Sequence, residues 1–577
     1  MDESVDVVDL ISSLLDSGKY KEAVSVPNDE KYINTFKDNC WDLVSVIIGK
    51  IQENTIIIKP SLQGACEELL SIIVQKSVPE EALLEFIEQI ELAKNDAQLS
   101  VILTPLQELL KKLTIKRGRS LEWCLNSIST YIESIPIIEH KLEGKERLLL
   151  DSDTNFRRIT RVYSLLPPFY CPFVKELTIA GANVRAIEIV SAFLISLLGK
   201  PLIYIDLDPE YNEKSEGRQC INQLILDICV LVKNIYKFLP YVQSCHRNSN
   251  KSKTVSNDSD EELSPYEHKE KINMTTLSGL FYITHSGHFK VPDTAIPSVY
   301  SSQYVVDTLL LCVIHLLGFT EYGPLCKAMA LCKELLKYIP DKCPSTSLTL
   351  QTHFDLCKGL VNIAIYSNYE FIRKAAVQHI NCHVNKFDYK GRCMLILYMV
   401  NIANHSGMIG YAITLYKNSI NEAFKEMEMP ECFTGEQLKN VVKKFCYLPH
   451  GAESDLVELA DQIITSLNFL RYLILRDTHN VTGVKDYFGI IETDYLEKLR
   501  MGLNMSKAHY EVKLKDIEES KNLPEDKIDV SINVGGNVLD QIPIKNKKEI
   551  IHSALNAFHL IEGLVARLSE CIKLTKA

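Results

Sequence analysis

Glycine and proline are scarce in this sequence: the 577 residues include 24 glycines and 21 prolines. This scarcity argues against a loop-rich all-β fold, because many short strands need turn residues between them. The 17 cysteines contain no CxxC pair, and no glycine-rich phosphate loop is present. The sequence therefore offers neither a paired-cysteine metal motif nor a nucleotide-binding loop.

Positive net charge and long apolar runs are also missing. The formal net charge is -11 and the sequence pI is about 5.8, so the chain lacks the basic footprint of a nucleic-acid binder. The longest apolar run, residues 304–319, is interrupted by Asp307 and His315. It falls short of the roughly 18 apolar residues that a membrane-spanning helix needs. We therefore expect neither nucleic acid nor membrane among the binding partners.

The N-terminal sequence MDESVDVVDLISSLL is acidic, and it lacks the basic start and the cleavage site of a secretory signal peptide. An odd number of cysteines without regular spacing fits free, buried thiols in a reducing compartment. We therefore expect a cytoplasmic location, with the nucleus as an open alternative.

Amphipathic helical patterns are what the sequence has in abundance. Residues 79–94 place Leu83, Phe86, Ile87 and Ile90 on one helical stripe, and residues 99–113 carry a second stripe. Paired helices of this kind recur at spacings of roughly 40 residues, the range of HEAT and armadillo repeats. Because single cores stop growing at about 250–300 residues, the chain needs more than one core or a repeat array. The prediction is an all-α, HEAT/armadillo-like helical-repeat solenoid.

Two segments interrupt the helical pattern. Residues 243–271 are polar and charged with no apolar period, which indicates a disordered linker or loop. We divide the chain there into an N-terminal helical-repeat domain, 1–242, and a C-terminal helical-repeat domain, 272–577. The second interruption alternates apolar and polar residues before Gly535-Gly536, which predicts a small β-hairpin near 530–539.

Two histidine-containing stretches are candidates for chemistry. His379, Cys382 and His383 share one helical face, but a zinc site usually has four ligands and the rest of a set is missing. His285 and Ser286 are adjacent, but a nucleophile also needs an oriented base within reach. We therefore expect no metal, no cofactor and no catalytic residue, and we classify the chain as a non-enzyme.

Asp206 and Asp208 follow an apolar run, as magnesium ligands do at the end of a parallel strand. No βαβ unit or phosphate loop accompanies them. Pro201 and Pro209 instead indicate that these residues lie in an irregular connector.

Five runs in the C-terminal region resemble the glomulin family, and they occur in the family's order. They are FTGEQL (433–438), LPHGAESDL (448–456), SLNFLRYLILRD (466–477), GLNMSKAHYE (502–511) and HSALNAFHLIEGLVAR (552–567). Members of this family are α-helical and HEAT-like, in agreement with the helical periodicity. The resemblance implies that the C-terminal region binds the RING subunit of a cullin–RING ubiquitin ligase, together with its cullin. Binding would mask the surface that recruits the ubiquitin-conjugating enzyme and so inhibit ubiquitin transfer. The resemblance also suggests an immunophilin partner.

A partner surface of this kind is a shallow apolar groove with a polar rim, so its complement needs large apolar anchors beside polar donors. We expect the RING-binding residues to be Asn504, Met505, Lys507, His509, Tyr510, Arg471 and Tyr472. Met505 and Tyr510 are the expected anchors. For Arg471, an interhelix salt bridge is the open alternative. A different function, a non-inhibitory scaffold or adaptor that joins protein partners, also remains open.

Overall fold

The computed structural model describes residues 6–113, 117–138, 142, 144–179, 181–251, 272–519, 533–534, 537–538 and 544–576. In chain order, the α-helices are α1 (Val7–Asp16), α2 (Tyr20–Ser25), α3 (Ile33–Asn39), α4 (Asp42–Gly49), α5 (Thr55–Ile58), α6 (Pro60–Lys76), α7 (Pro79–Glu91), α8 (Asp96–Lys112), α9 (Arg117–Ser134), α10 (Thr154–Leu177), α11 (Val184–Ser196), α12 (Pro209–Asn212), α13 (Glu216–Leu231), α14 (Leu239–Lys251), α15 (Met274–His285), α16 (Ser302–Leu316), α17 (Tyr322–Tyr338), α18 (Thr352–Tyr366), α19 (Glu370–Asn385), α20 (Tyr389–Ile402), α21 (Ser406–Ala423), α22 (Gly435–Phe445), α23 (Ala460–Arg476), α24 (Phe488–Ile491), α25 (Glu497–Glu519) and α26 (Ile544–Lys576).

Short 3-10 helices connect many of the α-helices. They span Val26–Asn28, Gly144–Ser152, Leu202–Tyr204, Ile235–Phe238, Asp293–Ala295, Ser345–Thr349, Glu431–Phe433, Gly451–Glu453 and Val484–Tyr487. A π-helix, Glu492–Leu496, leads into α25. Among the described residues, no helix has both the length and the apolar content that a membrane span requires.

Helix α7 shows how the apolar pattern produces the fold. The predicted stripe of Leu83, Phe86, Ile87 and Ile90 is buried, because these residues face α8 and neighbouring helices. The next helix, α8, begins where the side chain of Asn95 accepts a hydrogen bond from the backbone N–H of Gln98. The predicted pair of amphipathic helices is confirmed.

The structure forms two compact units, Met1–Leu335 and Leu336–Ala577. In the first unit, α14 packs against α15 and α16, which lie beyond the polar segment in the sequence. The division that we predict at 243–271 therefore falls inside this unit. Residues 243–251 of that segment belong to α14, and residues 252–271 lie outside the described residues.

In the second unit, the longer helices form a connected series of packed pairs. Helix α18 packs on α19, α20 on α21, α21 on α23, and α23 on α26, which also packs on α25. Tyr416 is fully buried in this unit. Its ring lies edge-on to those of Phe433, Phe445 and Phe469, at centroid distances of 5.3, 5.4 and 5.7 Å. Stacked pairs around a continuous core are the helical-repeat architecture that the sequence predicts.

Two paired β-strands of two residues each lie between α25 and α26 in the sequence. Strand β1 (Asn533–Val534) pairs antiparallel with β2 (Asn537–Val538), with Asn533 opposite Val538. The hairpin predicted near 530–539 is confirmed at these residues, while Gly535 and Gly536 lie outside the described residues.

The connector at 201–208, which ends where α12 begins, is irregular apart from one 3-10 turn, as predicted. Buried cations hold it to the first unit. Arg147 Nε donates to Asp206 Oδ2 at 2.6 Å, and both side chains are almost completely buried. Lys327 Nζ donates to the carbonyl of Ile203 at 2.8 Å. Asp206 therefore has a structural partner within the protein.

A buried pair of histidines lies in the second unit, where the sequence offered a metal-ligand pattern. His353 Nδ1 and His383 Nε2 are 3.1 Å apart, and the two rings stack. Phe387 packs edge-on against both rings. Burial, with the neighbouring His353 as a smaller cause, lowers the pKa of His383 to about 3. His383 thus stays neutral inside the folded unit.

This pair predicts acid sensitivity of the second unit. Below the ordinary histidine pKa of about 6.5, His383 is protonated in the unfolded chain but stays neutral in the folded unit. Stability therefore falls as pH decreases toward about 3. We expect the free energy of unfolding to drop by about 1–2 kcal/mol between pH 7 and pH 5. Urea unfolding at both values measures this. His383→Gln should reduce the pH slope, whereas the exposed control His552→Gln should not; equal slopes in all three proteins would contradict the argument.

Candidate protein-binding surface

Helix α25 presents an exposed row of side chains. Met501, Met505, His509 and Val512 follow each other at three- and four-residue spacings, and Asn504 lies three residues after Met501, so all five lie on one face of the helix. The side chains of Met501, Met505 and Val512 are 59, 53 and 57% exposed. Apolar area and polar groups therefore alternate along one solvent-facing stripe, which we call the α25 row.

The opposite face of α25 is part of the core. Leu503 and Tyr510, two helical turns apart, are both buried. The Tyr510 ring packs edge-on against Phe558 of α26, with centroids 5.4 Å apart. Tyr510, which we predicted as an anchor, is thus a core residue in this structure. The physical reason is the phase of the helix, which puts Met505 outside and Tyr510 inside.

Lys507 connects α25 to α26. Its Nζ lies 2.8 Å from Glu562 Oε2, and its side chain is mostly buried. Arg500 makes a second connection by donating to Ser569 Oγ at 2.7 Å and to Glu492 Oε1 at 2.6 Å. These polar contacts fix the orientation of the α25 row relative to α26. Lys507 therefore positions the row, and its expected contact with a partner stays a prediction.

Arg471 and Tyr472, the other predicted residues, lie at a cavity of about 480 Å³ between α21 and α23. The cavity is lined by Thr414, Lys417, Thr465, Asn468, Arg471, Tyr472 and Leu475. The Tyr472 hydroxyl donates to Asn421 Oδ1 at 2.7 Å, and Lys417 Nζ lies 5.5 Å from the Tyr472 ring centroid. Two cations thus line a cavity whose other polar groups are hydroxyls and an amide.

Arg471 makes no ion pair within the described part of the chain, so the interhelix salt bridge is not formed there. Its Nε is buried and has no hydrogen-bond partner among the described residues. A guanidinium N–H group without a hydrogen-bond acceptor is costly to bury, and a planar carboxylate is its best-matched acceptor. With Lys417 beside it, the cavity fits an anionic group. We call it the cationic cavity.

Sequence reasoning missed several residues of these surfaces, among them Met501, Val512 and Lys417. Met501 and Val512 extend the α25 row by one turn in each direction, and their spacing from Met505 and His509 was a usable signal. Lys417 was not detectable, because only the packing of α21 on α23 brings it to Arg471.

Gly502 lets α25 approach the turn at 451–453 closely. A Cβ atom at this position would lie 2.7 Å from the carbonyl oxygen of Ala452. We therefore expect Gly502→Ala to lower the free energy of unfolding of the second unit by about 1–3 kcal/mol. Gly563 of α26 is the matched control: it is exposed with no atom near a new Cβ, so Gly563→Ala should stabilise by about 0.5–1 kcal/mol. Urea unfolding of both variants tests the contrast, and effects of the same sign would contradict it.

Known proteins resemble this chain along most of its length. Residues 294–547 match the family model described as "Uncharacterised protein family, YAP/Alf4/glomulin". Glomulin from Homo sapiens is 27% identical over 576 residues, which cover 97% of this chain and 92% of that protein. Glomulin from Mus musculus is 26% identical over 570 residues, with the same coverage. A solved structure of importin beta aligns with 97% of this chain and 66% of the importin chain at 10% identity. The TM-score is 0.21, which is too low to show a shared fold.

The stacked helix pairs and their exposed side-chain rows define a helical-repeat scaffold. The chain is similar to both glomulins along nearly all of its length, and the YAP/Alf4/glomulin family model matches residues 294–547. The resemblance carried by the five C-terminal sequence runs is thereby confirmed.

Proposed function

We propose that this chain binds the RING subunit of a cullin–RING ubiquitin ligase and masks the surface that recruits the ubiquitin-conjugating enzyme. The α25 row is the observation that carries the proposal. Met501 and Met505 supply adaptable apolar area, and Asn504 and His509 supply polar groups beside it. This arrangement complements a shallow apolar groove with a polar rim.

The cationic cavity adds a second point of contact to the proposal. Arg471 and Lys417 would receive an acidic side chain of the RING subunit or of its cullin. The burial of the Arg471 Nε makes such a contact directional as well as attractive. Apolar contact on α25 and charge pairing at α21 and α23 would together select a partner.

Masking is an equilibrium effect and needs no catalysis, so the proposal describes a non-enzymatic inhibitor without a cofactor. It predicts inhibition at a near-equal molar ratio and no turnover. A cytoplasmic or nuclear location is part of the proposal, since ubiquitin ligases of this kind act there. The immunophilin partner suggested by the resemblance stays a prediction.

The test is ubiquitin-chain formation by a purified, neddylated cullin–RING ligase titrated with the full chain. We expect transfer to stop near one equivalent. Binding without slower transfer would favour the adaptor, and no binding would show that the family's fold is present here without its function.

A substitution on the α25 row makes this test specific. Met505→Asp should weaken inhibition about 30-fold, the effect of losing one interface hot spot of about 2 kcal/mol. Leu350→Asp is the matched control, because Leu350 is 47% exposed in the same unit and lies outside the row. It should inhibit like the unmodified chain. Equal losses in both variants would remove the α25 row from the proposal.

A further inference from the structure

The walls of the cationic cavity are held in place by close helix packing. A Cβ atom at Gly410 of α21 would lie 2.9 Å from Thr465 Oγ1 of α23. The Thr465 hydroxyl donates to the carbonyl of Asp461 at 2.6 Å, and the Thr414 hydroxyl donates to the carbonyl of Gly410 at 3.0 Å. Both hydroxyl protons are therefore used within the helices, and the two threonines form fixed walls of the cavity.

Three donor groups remain available in the cationic cavity. The Arg471 guanidinium, the Lys417 ammonium and the Asn468 amide form no hydrogen bond or ion pair with any residue that the structure describes. None of the described side chains that line the cavity is a carboxylate. Two positive charges therefore share a concave site with no anion to balance them, and such a site attracts an anionic ligand.

A phosphate monoester matches these donors better than a carboxylate does. At pH 7 it carries a charge of about −1.5 to −2 and three acceptor oxygens, whereas a carboxylate carries a single charge on two oxygens. One phosphate would balance both Arg471 and Lys417, and a carboxylate would leave one of the two cations unneutralised. The cavity of about 480 Å³ is within the size range of ligand pockets, so it has room for a phosphorylated side chain.

The rim of the cavity favours a phosphate that is carried by a protein side chain. Leu475 lines the cavity and is 57% exposed, and the Tyr472 ring lies beside it. These groups offer apolar contact to the chain that carries the phosphate, which a free phosphate ion cannot use. A phosphorylated lipid is disfavoured, because the net charge of -11 repels an anionic membrane surface.

We propose that the cationic cavity binds a phosphorylated side chain of a protein partner in preference to a carboxylate. The planar guanidinium of Arg471 would donate to the phosphate oxygens, and Lys417 would pair with the remaining charge. The inference rests on the proposed function in one respect, namely that this cavity takes an acidic group of the RING subunit or its cullin. Phosphorylation of that group would strengthen the contact.

The test measures peptide binding to the full chain alone, by fluorescence anisotropy, so it does not depend on a ubiquitin ligase. The probe is a labelled peptide with one phosphoserine among glycines and leucines, and matched peptides carry glutamate or serine at that position. We expect saturable binding of the phosphoserine peptide and about 10-fold weaker binding of the glutamate peptide, because glutamate lacks the second negative charge. Equal affinities for these two peptides would overturn the proposal.

Two further ligands separate the possible sources of the phosphate. Inorganic phosphate should displace the phosphoserine peptide only at much higher concentration, since it lacks the apolar contact. Displacement at equal concentrations would identify free phosphate as the ligand. Cosedimentation with phosphatidylcholine vesicles that contain phosphatidylinositol phosphates should show no binding. Vesicle binding without peptide binding would assign the cavity to a lipid headgroup, and either result would overturn the proposal.

Variants assign the binding to the cavity. Arg471→Met and Lys417→Met should each weaken binding of the phosphoserine peptide about 10-fold, the effect of losing one charge-assisted contact. Arg471→Lys keeps the charge and should lose less than Arg471→Met. Lys390→Met removes an exposed cation of the same unit and should bind like the unmodified chain. Peptide binding that survives both methionine variants would place the phosphate elsewhere.

The outcome of this test is distinguishable from that of the proposed function. A chain that stops ubiquitin transfer but does not bind the phosphoserine peptide would overturn the phosphate site and leave masking intact. A chain that binds the peptide through Arg471 and Lys417 but does not slow ubiquitin transfer would support the phosphate site and remove masking.

Discussion

Arg147→Met is expected to lower the free energy of unfolding of the first unit by about 3–5 kcal/mol, the cost of removing one partner of a buried ion pair. The Arg147 and Asp206 side chains are 1 and 6% exposed, and their 2.6 Å contact is the main compensation for burying the carboxylate. Methionine fills similar volume but leaves Asp206 charged in a site shielded from water. Urea unfolding followed by circular dichroism measures the loss.

An exposed ion pair in the same unit provides the control. Arg117 and Glu176 lie 2.7 Å apart with side chains 27 and 53% exposed, so Arg117→Met should cost at most about 1 kcal/mol. The double variant Arg147→Met/Asp206→Leu should recover much of the loss, because it removes the uncompensated charge. If Arg147→Met costs no more than Arg117→Met, the connector is not held in the way that the geometry indicates.

The helical fold could be predicted because its determinants are local. The apolar stripe of α7 specifies both the helix and the face that it buries, and the Asn95 cap marks where the next helix starts. The compact units could not be predicted in the same way. A polar segment indicates a loop, but whether the helices on either side of it share a core depends on tertiary packing, here that of α14 on α15 and α16.

The candidate site shows the same limit at the level of single residues. The run GLNMSKAHYE has apolar side chains on more than one face, so its sequence does not determine which face is buried. Packing against α26 determines which face is buried. Tyr510 packs against Phe558 and Lys507 pairs with Glu562, while Met505 is exposed. Part of the run is exposed, but which of its residues are exposed depends on a helix far along the chain.

The largest effect on binding is expected from reversing both charges of the cationic cavity. Lys417→Glu/Arg471→Glu should weaken binding to a cullin-bound RING subunit by about 100-fold or more, because the loss of one partner of an interfacial charge pair that is buried on binding costs roughly 2–5 kcal/mol. The unfilled Arg471 Nε is the reason to place the acceptor in this cavity. Isothermal titration calorimetry at low and at physiological salt measures the loss, after thermal unfolding has shown that the variant is folded.

The effect of net charge on affinity must be separated from the effect of the cavity, since any acidic substitution alters long-range attraction to an acidic partner. Lys358→Glu/Lys390→Glu makes the same change in net charge at exposed positions of the second unit. We expect this control to lose only a few-fold in affinity, mostly at low salt where screening is weak. A buried contact is screened less, so the loss caused by the cavity variant should persist at physiological salt. Equal losses in both double variants would attribute the effect to long-range charge and leave the cavity without a role in binding.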